Sequence, residues 1–482
     1  MSGFLEPHSP STVSHWIATN RGSETLHNHG KDDKLPEKAD IVIVGAGISG
    51  ALLAYHLTHP QNDEVSIKKG SRIVILEGAE VSSSATGRNG GHFAPATFLS
   101  FPKLTSSLED GGAGLTDSQA TEILLHEWDN FERNKNLIKK HDLIDKVDLW
   151  EGKIMTIYDT KEKLNKAYEL YERWLKCLKE KGLQDYSDNT FCKDPDEAVK
   201  VSRVKNAFGY STRSAGSVHP HRLVTEILKI CLSSTDFNVS LYTSTPVLDI
   251  SSFDGSQENT IKTNRGTIKA EKVVLCTNAH TPHLFPKEHP LKESIFPLRI
   301  QMGLITPTLD YSGVKGLKTN YGFPLAYCAN TPNGIVLGAG ASDYIRAGIG
   351  KPEDYINNSN DRELLPECTK YLKSFMTNTM VDWNENAEGE GLMRTWTGVT
   401  ANTFDRLPLI GEIPNRKNLF ISAGFNGHGM STTHTCNRAL ARLIGSESWD
   451  QDFPEAYIIS ENRLKRKLVE GGHYRYVTGN KL

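Results

Sequence analysis

Apolar runs interrupted by glycine at a few places set the outline of this chain. The first is ADIVIVGAGISGALLAYHL, residues 39–57. Its opening is continuous and rich in Ile and Val, as a buried strand requires. A glycine turn follows, and then an amphipathic helix. A polar loop, Gln61 to Ser71, leads to RIVILEG, a second short buried strand. Two later segments carry apolar residues at helical spacing. Ile123, Leu124, Trp128 and Phe131 mark one helix, with Asp117 as its expected cap, and Leu164, Tyr168, Tyr171, Leu175 and Leu178 mark another that ends at Gly182. Between them VDLWEGKIMTIYD reads as a strand pair. GSVHPHRLVTEILKICL predicts a helix with Pro220 in its first turn and Leu223, Ile227, Leu228 and Cys231 on one face. VSLYTSTPVLDISS and TIKTNRGTIKAEKVVLCTNA predict strands, with NRG as a turn. GIVLGAGASD is a strand entering a glycine turn, and LFISAGFNGHGMSTTHTCNRALARLI is strand, glycine loop and long helix.

At 482 residues the chain is long enough for two or three domains with large cores. Its net charge of -3 leaves no footprint for nucleic acid, and no run of eighteen apolar residues offers a membrane span. Seven scattered cysteines without a C-x-x-C motif suit free thiols in a reducing compartment, and the N-terminus lacks a secretory core. The expected location is cytoplasmic. The ending Asn480-Lys481-Leu482 resembles a peroxisomal S-K-L signal, which adds that compartment as a possibility. HTPH, with His280 and His283, has loop-like spacing and no third ligand, so no metal is expected. RLKRKL near the end reads as a solvated helix face, and Trp16 as the residue that pins a polar N-terminal arm to the body.

The chemistry begins at GAGISG. Gly45 permits a tight turn, Gly47 lets backbone approach a pyrophosphate, and Gly50 lets helix pack on strand. With Ile48 and Ser49 these residues form the start of a helix, whose free N–H groups and positive dipole end face the phosphates. Glu77, with Gly78 after it, ends the second strand where a carboxylate accepts hydrogen bonds from ribose hydroxyls. It lies 27 residues after Gly50, the excess over the usual spacing being taken up by the polar loop. A carboxylate there repels a 2′-phosphate, which leaves NAD or FAD. Two further glycine clusters favour the flavin. In SATGRNGGH, Gly87, Gly90 and Gly91 remove side chains that would keep a flat ring away, Arg88 can balance negative charge, and His92 can donate or accept. In SAGFNGHGM, Gly424, Gly427 and Gly429 precede a helix whose N-terminus suits the anionic end of a reduced flavin.

DIVIVGAGISGALLAYHL, LEGAEVSSSATGRNGGH, KVVLCTNAHT and RTWTGVTANTFDRLPLIGEIPNRKNLFISAGFNGHGM together resemble the FAD-dependent oxidoreductases of the D-amino-acid oxidase (DAO) family, nearest to the amine-oxidising branch typified by gamma-glutamylputrescine oxidoreductase. The resemblance implies an α/β, two-lobed fold. Its FAD-binding lobe is Rossmann-like and discontinuous, over 39–98, 215–285 and 394–446. The inserted mixed-sheet substrate lobe takes 99–214 and 286–393, with an arm over 1–38 and a tail over 447–482. It implies that Gly45, Gly47, Gly50 and Glu77 hold the ADP half, and that Ser84, Thr86, Gly87, Arg88, Asn89, Gly90, Gly91 and His92 line pyrophosphate and ring. Val247 would lie on the adenine side and Asn278 and Ala279 by the ribityl chain. Gly424, Gly427, His428, Gly429 and Met430 would cap the pyrimidine end. The flavin is expected to be non-covalent.

The activity implied is oxidation of a C–N bond in an amine or amino acid, with hydride passing to flavin N5, hydrolysis of the imine, and O2 as acceptor giving H2O2. No catalytic triad is expected, and no G-x-S-x-G elbow occurs. His92, Phe323, Tyr327 and Trp396 are the pocket candidates, and Arg299 a candidate carboxylate anchor. Relatives that handle small α-amino acids often carry Arg two residues after W-x-G; here that position is Thr400, which favours an amine or an amino compound held elsewhere. The competing readings are a flavin-dependent 2-hydroxy-acid dehydrogenase, a nicotinamide dehydrogenase, and a non-catalytic flavin-binding interaction protein.

Overall fold

In the computed structural model, which describes residues 12–466 except 23, 60–66, 186, 253–257, 446 and 451, five strands far apart in sequence lie side by side and parallel. Their order is Asn238–Tyr242, Arg72–Leu76, Lys38–Val44, Gly266–Leu275 and Leu419–Ala423, with Leu409–Glu412 antiparallel on the outer edge. The hairpin Val247–Ser252 and Asn259–Thr263 adds to the first half of Gly266–Leu275. Period-two alternation sorts the strand residues to two layers. Ile41, Ile43, Ile73 and Ile75 face the helices Ile48–Thr58, Pro220–Leu232 and Gly429–Ile444, whereas Val42, Val44, Val74 and Leu76 face the hairpin. The helix Ile48–Thr58 is buried on every side, not amphipathic as its sequence suggested, because sheet and neighbouring helices enclose it.

The second sheet is mixed. Its order is Gly391–Thr403, Ile295–Thr306, Gly334–Gly338, Ala326–Thr331, Asn320–Phe323, Trp150–Tyr158, Gly209–Ser217 and His92–Phe93, with Thr190–Cys192 beside Gly209–Ser217. The long helices Asp117–Lys140 and Lys161–Glu180 form as expected. The first is capped by Thr116, not Asp117: the Thr116 hydroxyl accepts from Gln119 N–H and Gln119 returns the bond, a capping box. The segment read as a strand pair is one strand, Trp150–Tyr158, because Gly152 lies within the ladder, opposite Ala215, and makes no turn.

Both ends of the chain are tied to this body where they are described. Trp16, at 1% exposure, donates from Nε1 to the Asn89 carbonyl at 2.7 Å. Arg463 is not solvated as the basic run suggested; it forms a bidentate pair with Asp405 at 2.9 and 3.1 Å. Asn480-Lys481-Leu482 lies outside the described residues. No helix among the described residues is long and apolar enough to cross a membrane.

Three helices meet over buried imidazoles. His56 and His434 rings are 4.8 Å apart, and His126 lies beside Thr435. Burial pushes His56 and His126 down to about 3 from 6.5, and His434 well down. As pH falls below 6.5 the unfolded chain therefore binds protons that the folded one refuses, so stability is complete above that pH and lost on the way down towards 3. The melting temperature is expected to fall steadily between pH 7 and pH 4.5 in a calorimetric series. A flat profile would mean that protons reach these rings without unfolding.

Candidate functional site

Parallel strands end together, so the loops that leave them share one edge of the sheet. Gly45, Glu77, Thr245 and Val247, Asn278, and Gly427 to Met430 all arrive there, and they line one cavity of about 500 Å³. The second sheet closes its far side with Ile154, Arg213, Tyr327, Val399 and Thr400.

At the first end the backbone is stripped for close approach. Gly45 has φ +107°, a conformation reserved for glycine, and a methyl group there would lie 2.6 Å from the Cys276 carbonyl oxygen. Gly50 packs on the Gly45 carbonyl, which seats the helix on the strand turn. Gly47 begins that helix with no side-chain cap; a methyl group there meets only Thr86 Oγ1, at 3.2 Å, and otherwise projects into the cavity. The helix Gly429–Ile444 likewise starts without a side-chain cap, and nothing lies within 4 Å of a methyl placed on Gly427. Two helix N-termini without an N-cap side chain thus face one cavity, the first with Ile48 N–H on Thr86 Oγ1 at 3.2 Å, an arrangement that suits anionic oxygens. Asn130, from the helix Asp117–Lys140, fixes the second of them by donating to the Met430 carbonyl at 3.1 Å and accepting from His434 N–H at 2.8 Å.

Glu77 stands at the strand end with its carboxylate oriented by backbone: Ala46 N–H donates to Oε2 at 2.8 Å and Ala79 N–H to Oε1 at 2.9 Å. Burial pushes its pKa up, while those amides oppose the shift. Gly78, Ser84, Thr86, Asn89, Val247, Ala279 and His428 also lie on the cavity, with Ile48 and Ser49. Asn278 does too, at φ +46°, and its Oδ1 accepts from Gly424 N–H at 3.1 Å, tying two loops together. Gly424 itself turns away, its bare face against Thr403.

The loop SATGRNGGH is bare mainly for the protein's own sake. A methyl on Gly91 would strike the Trp16 ring at 2.6 Å, one on Gly90 would strike Tyr327 Cε2 at 2.5 Å, and Gly87 sits on the Ser82 carbonyl. Of the three, Gly90 lies on the cavity. Arg88, expected to balance charge on the cofactor, points away and is 1% exposed. It donates to Ser83 O and Thr397 O and to the backbone and hydroxyl of Thr12, with Asp361 3.8 Å from its Nε.

At the second end, His92 and Tyr327 meet edge to face, 5.2 Å apart. Burial, and then the Arg213 cation, push His92 down to about 4, so the ring is neutral; its Nε2 is buried without a hydrogen-bond partner. Phe323 and Trp396, the other two pocket candidates, do not line the cavity. Phe323 pairs with Ala326 and Tyr327 with Gly322, so the pleat sends the two rings to opposite faces. Phe323 packs below the sheet against Phe375 at 5.1 Å. Trp396 shares the face of Tyr327, but the Arg88 segment lies over it, and its Nε1 donates to Arg88 O at 2.9 Å. Arg299 also lies off the cavity and donates to the Glu363 carbonyl. Two charged cavity residues escaped sequence reasoning, Arg213 and Asp361. Arg213 had a signal: it is the lone long side chain in STRSAGS, where its neighbours are small.

The cavity suits a dinucleotide: bare glycine at Gly47 and Gly427, uncapped helix starts and a ribose-ready carboxylate occupy one end, and a walled chamber the other. Gamma-glutamylputrescine oxidoreductase of Escherichia coli is 23% identical over 418 residues, covering 85% of this chain and 84% of that protein. Glycine oxidase of Bacillus licheniformis is 22% identical, covering 87% and 97%. The crystal structure of glycine oxidase from Geobacillus kaustophilus superposes with a TM-score of 0.64 at 18% identity, covering 88% of this chain and 99% of that one. The profile of the FAD dependent oxidoreductases, DAO, matches residues 40–443, and the chain therefore belongs to this family of FAD-binding oxidoreductases.

Proposed function

We propose that the protein oxidises a C–N bond of an amine or amino acid. The hydrogen on carbon leaves as hydride while the nitrogen lone pair closes to C=N. Water then hydrolyses the imine to a carbonyl compound and an amine or ammonia, and O2 takes the two electrons with two protons as H2O2. Bound FAD supplies the hydride acceptor at its N5. Gly47, Thr86, Asn278, Gly427 and the two helix starts would hold it, with Glu77 at the ribose.

The observation that carries this reading is the chemistry of the second chamber. An alcohol must lose its hydroxyl proton as hydride leaves, which asks for a base poised near neutral pH. The imidazole on the sheet wall of the chamber, His92, is pushed down to about 4 by burial, and the carboxylate of Asp361 lies 3.8 Å from the Arg88 guanidinium; His280, His283 and His428 line other parts of the cavity. An amine that binds in its neutral form, its ammonium proton left to solvent beforehand, needs no such base, because its own lone pair drives the step. His92 and Tyr327 instead exclude water and set the position of the substrate over the acceptor, where hydride transfer depends on geometry. The relatives named for acting on gamma-glutamylputrescine and glycine support the same class.

The decisive experiment is an anaerobic screen of amines, amino acids and 2-hydroxy acids against the FAD-loaded protein. Amines or amino acids are expected to bleach the flavin bands, and air to restore them with one H2O2 per turnover. Bleaching by 2-hydroxy acids alone would overturn the reading. Gly47→Val should give a folded, colourless protein, since the side chain enters the space left beside Thr86; a fully yellow variant would contradict the assignment. Glu77→Gln should weaken FAD binding by about 1–2 kcal/mol, roughly tenfold in Kd, because an amide N–H then opposes Ala46 or Ala79 N–H. An unchanged Kd removes Glu77 from the cofactor site.

A further inference from the structure

We propose that Arg213 anchors a carboxylate of the substrate, so that the compound oxidised is an amino acid or a carboxylate-bearing amine held from the sheet wall. The proposal rests on C–N oxidation in the chamber described above and adds the substrate's second functional group.

Arg213 stands on the strand Gly209–Ser217, directly across the ladder from Ile154. Through Thr156 and Gly322 the same pleated face reaches Tyr327, and all three residues line the cavity. The guanidinium is poorly matched by protein. One N–H donates to Pro95 O at 3.3 Å, and Nε is buried with no hydrogen-bond partner. No carboxylate stands within 4 Å of it among the described residues. Of the groups whose charge reaches it, Tyr158 hydrogen-bonds Ser211 and Glu127 accepts from Ala96 N–H at 2.6 Å. Burial lowers its pKa to about 10, so it stays charged.

The buried arginines show what a satisfied guanidinium looks like here. Arg463 holds Asp405 with two parallel bonds, and Arg88 spends its donors on Ser83, Thr12 and Thr397. A partly buried cation whose Nε has no partner is stabilised when an anion enters its site. Arginine's planar fork matches a carboxylate in two parallel bonds, which also fixes the direction in which the rest of the ligand points. From Arg213 that direction is along the face shared with His92 and Tyr327. At the far edge of the same sheet Thr400 offers no such group: its hydroxyl donates to Leu298 O at 3.3 Å and accepts from Asn402 Nδ2 at 3.1 Å.

The test is a titration of the FAD-loaded protein with acetate and benzoate, paired with the neutral acetamide and benzamide, read from changes in the flavin absorption bands. The wild type should prefer at least one acid over its amide by about 30-fold, the scale of a charge-assisted pair. Arg213→Gln should abolish the preference while FAD content and amide affinity stay unchanged, and Arg213→Lys should keep part of it, having charge without the fork. A wild type with no preference, or an Arg213→Gln variant that keeps it, overturns the assignment. If Arg213→Gln fails to hold FAD, Arg213→Lys decides, because an unreduced preference in that variant also overturns it. A preference that Arg213→Gln abolishes, in a protein that no amine or amino acid bleaches, leaves the anchor standing and removes C–N oxidation instead.

Discussion

The fold depends on one close approach, where Gly45 turns off its strand against the Cys276 carbonyl and Gly50 lies on the Gly45 carbonyl in turn. Three backbone segments meet there with no side chain between them. That contact fixes the distance between the strand Lys38–Val44, its neighbour Gly266–Leu275 and the helix Ile48–Thr58. The same turn brings Ala46 N–H to Glu77 and Ile48 N–H to Thr86 Oγ1, and leaves the helix start without a side-chain cap from Gly47. The proposed cofactor site is thus the by-product of a packing requirement: the residues that let helix sit on strand also shape the helix start that would receive phosphate.

The second lobe adds a wall with its own rule. Its strands carry small or apolar residues on the chamber face and a true core on the other, where Met155, Ile157, Tyr321, Phe323 and Met376 pack. Selectivity on such a wall is set by parity. A substitution at Ile154, Arg213 or Tyr327 reaches the chamber, whereas the adjacent positions reach the core and change stability first. Most of the proposed cofactor loops leave the other sheet, and the one that ends at His92 packs through Gly90 against Tyr327 of this wall.

Much of this was legible in the sequence because glycine and strand periodicity act locally. GAGISG between an Ile/Val run and a helix specifies its turn within ten residues, and Glu77 follows from where the next strand stops. The losses came where long-range contacts decide. The glycines of SATGRNGGH read as space for a flat ring, yet Gly91 makes room for Trp16, some seventy residues upstream. Arg88 read as a cofactor cation, yet Thr12 and Thr397 claim its donors. Phe323 and Tyr327 both read as pocket rings. The two-residue turn at Pro324 and Leu325 pairs Phe323 with Ala326 and so places Tyr327 on the other face, a parity that a hairpin sets and composition does not reveal.

Charge separates the two kinds of buried arginine more sharply than position does. Arg88 and Arg463 are structural because their partners are carbonyls and carboxylates of the chain itself, already present when the protein folds. Arg213 is only partly buried and faces the cavity, with one carbonyl bond and a buried Nε that the fold leaves without a partner. A neutral His92 beside it is the expected consequence, since a second positive charge on that face would raise the cost further. Neutral imidazole, aromatic ring and fixed cation then form one surface, suited to a ligand that brings negative charge at one end and a neutral nitrogen at the other. In that arrangement anchoring and orientation come from the same group, and the reactive carbon is positioned by its distance from the guanidinium along the ligand.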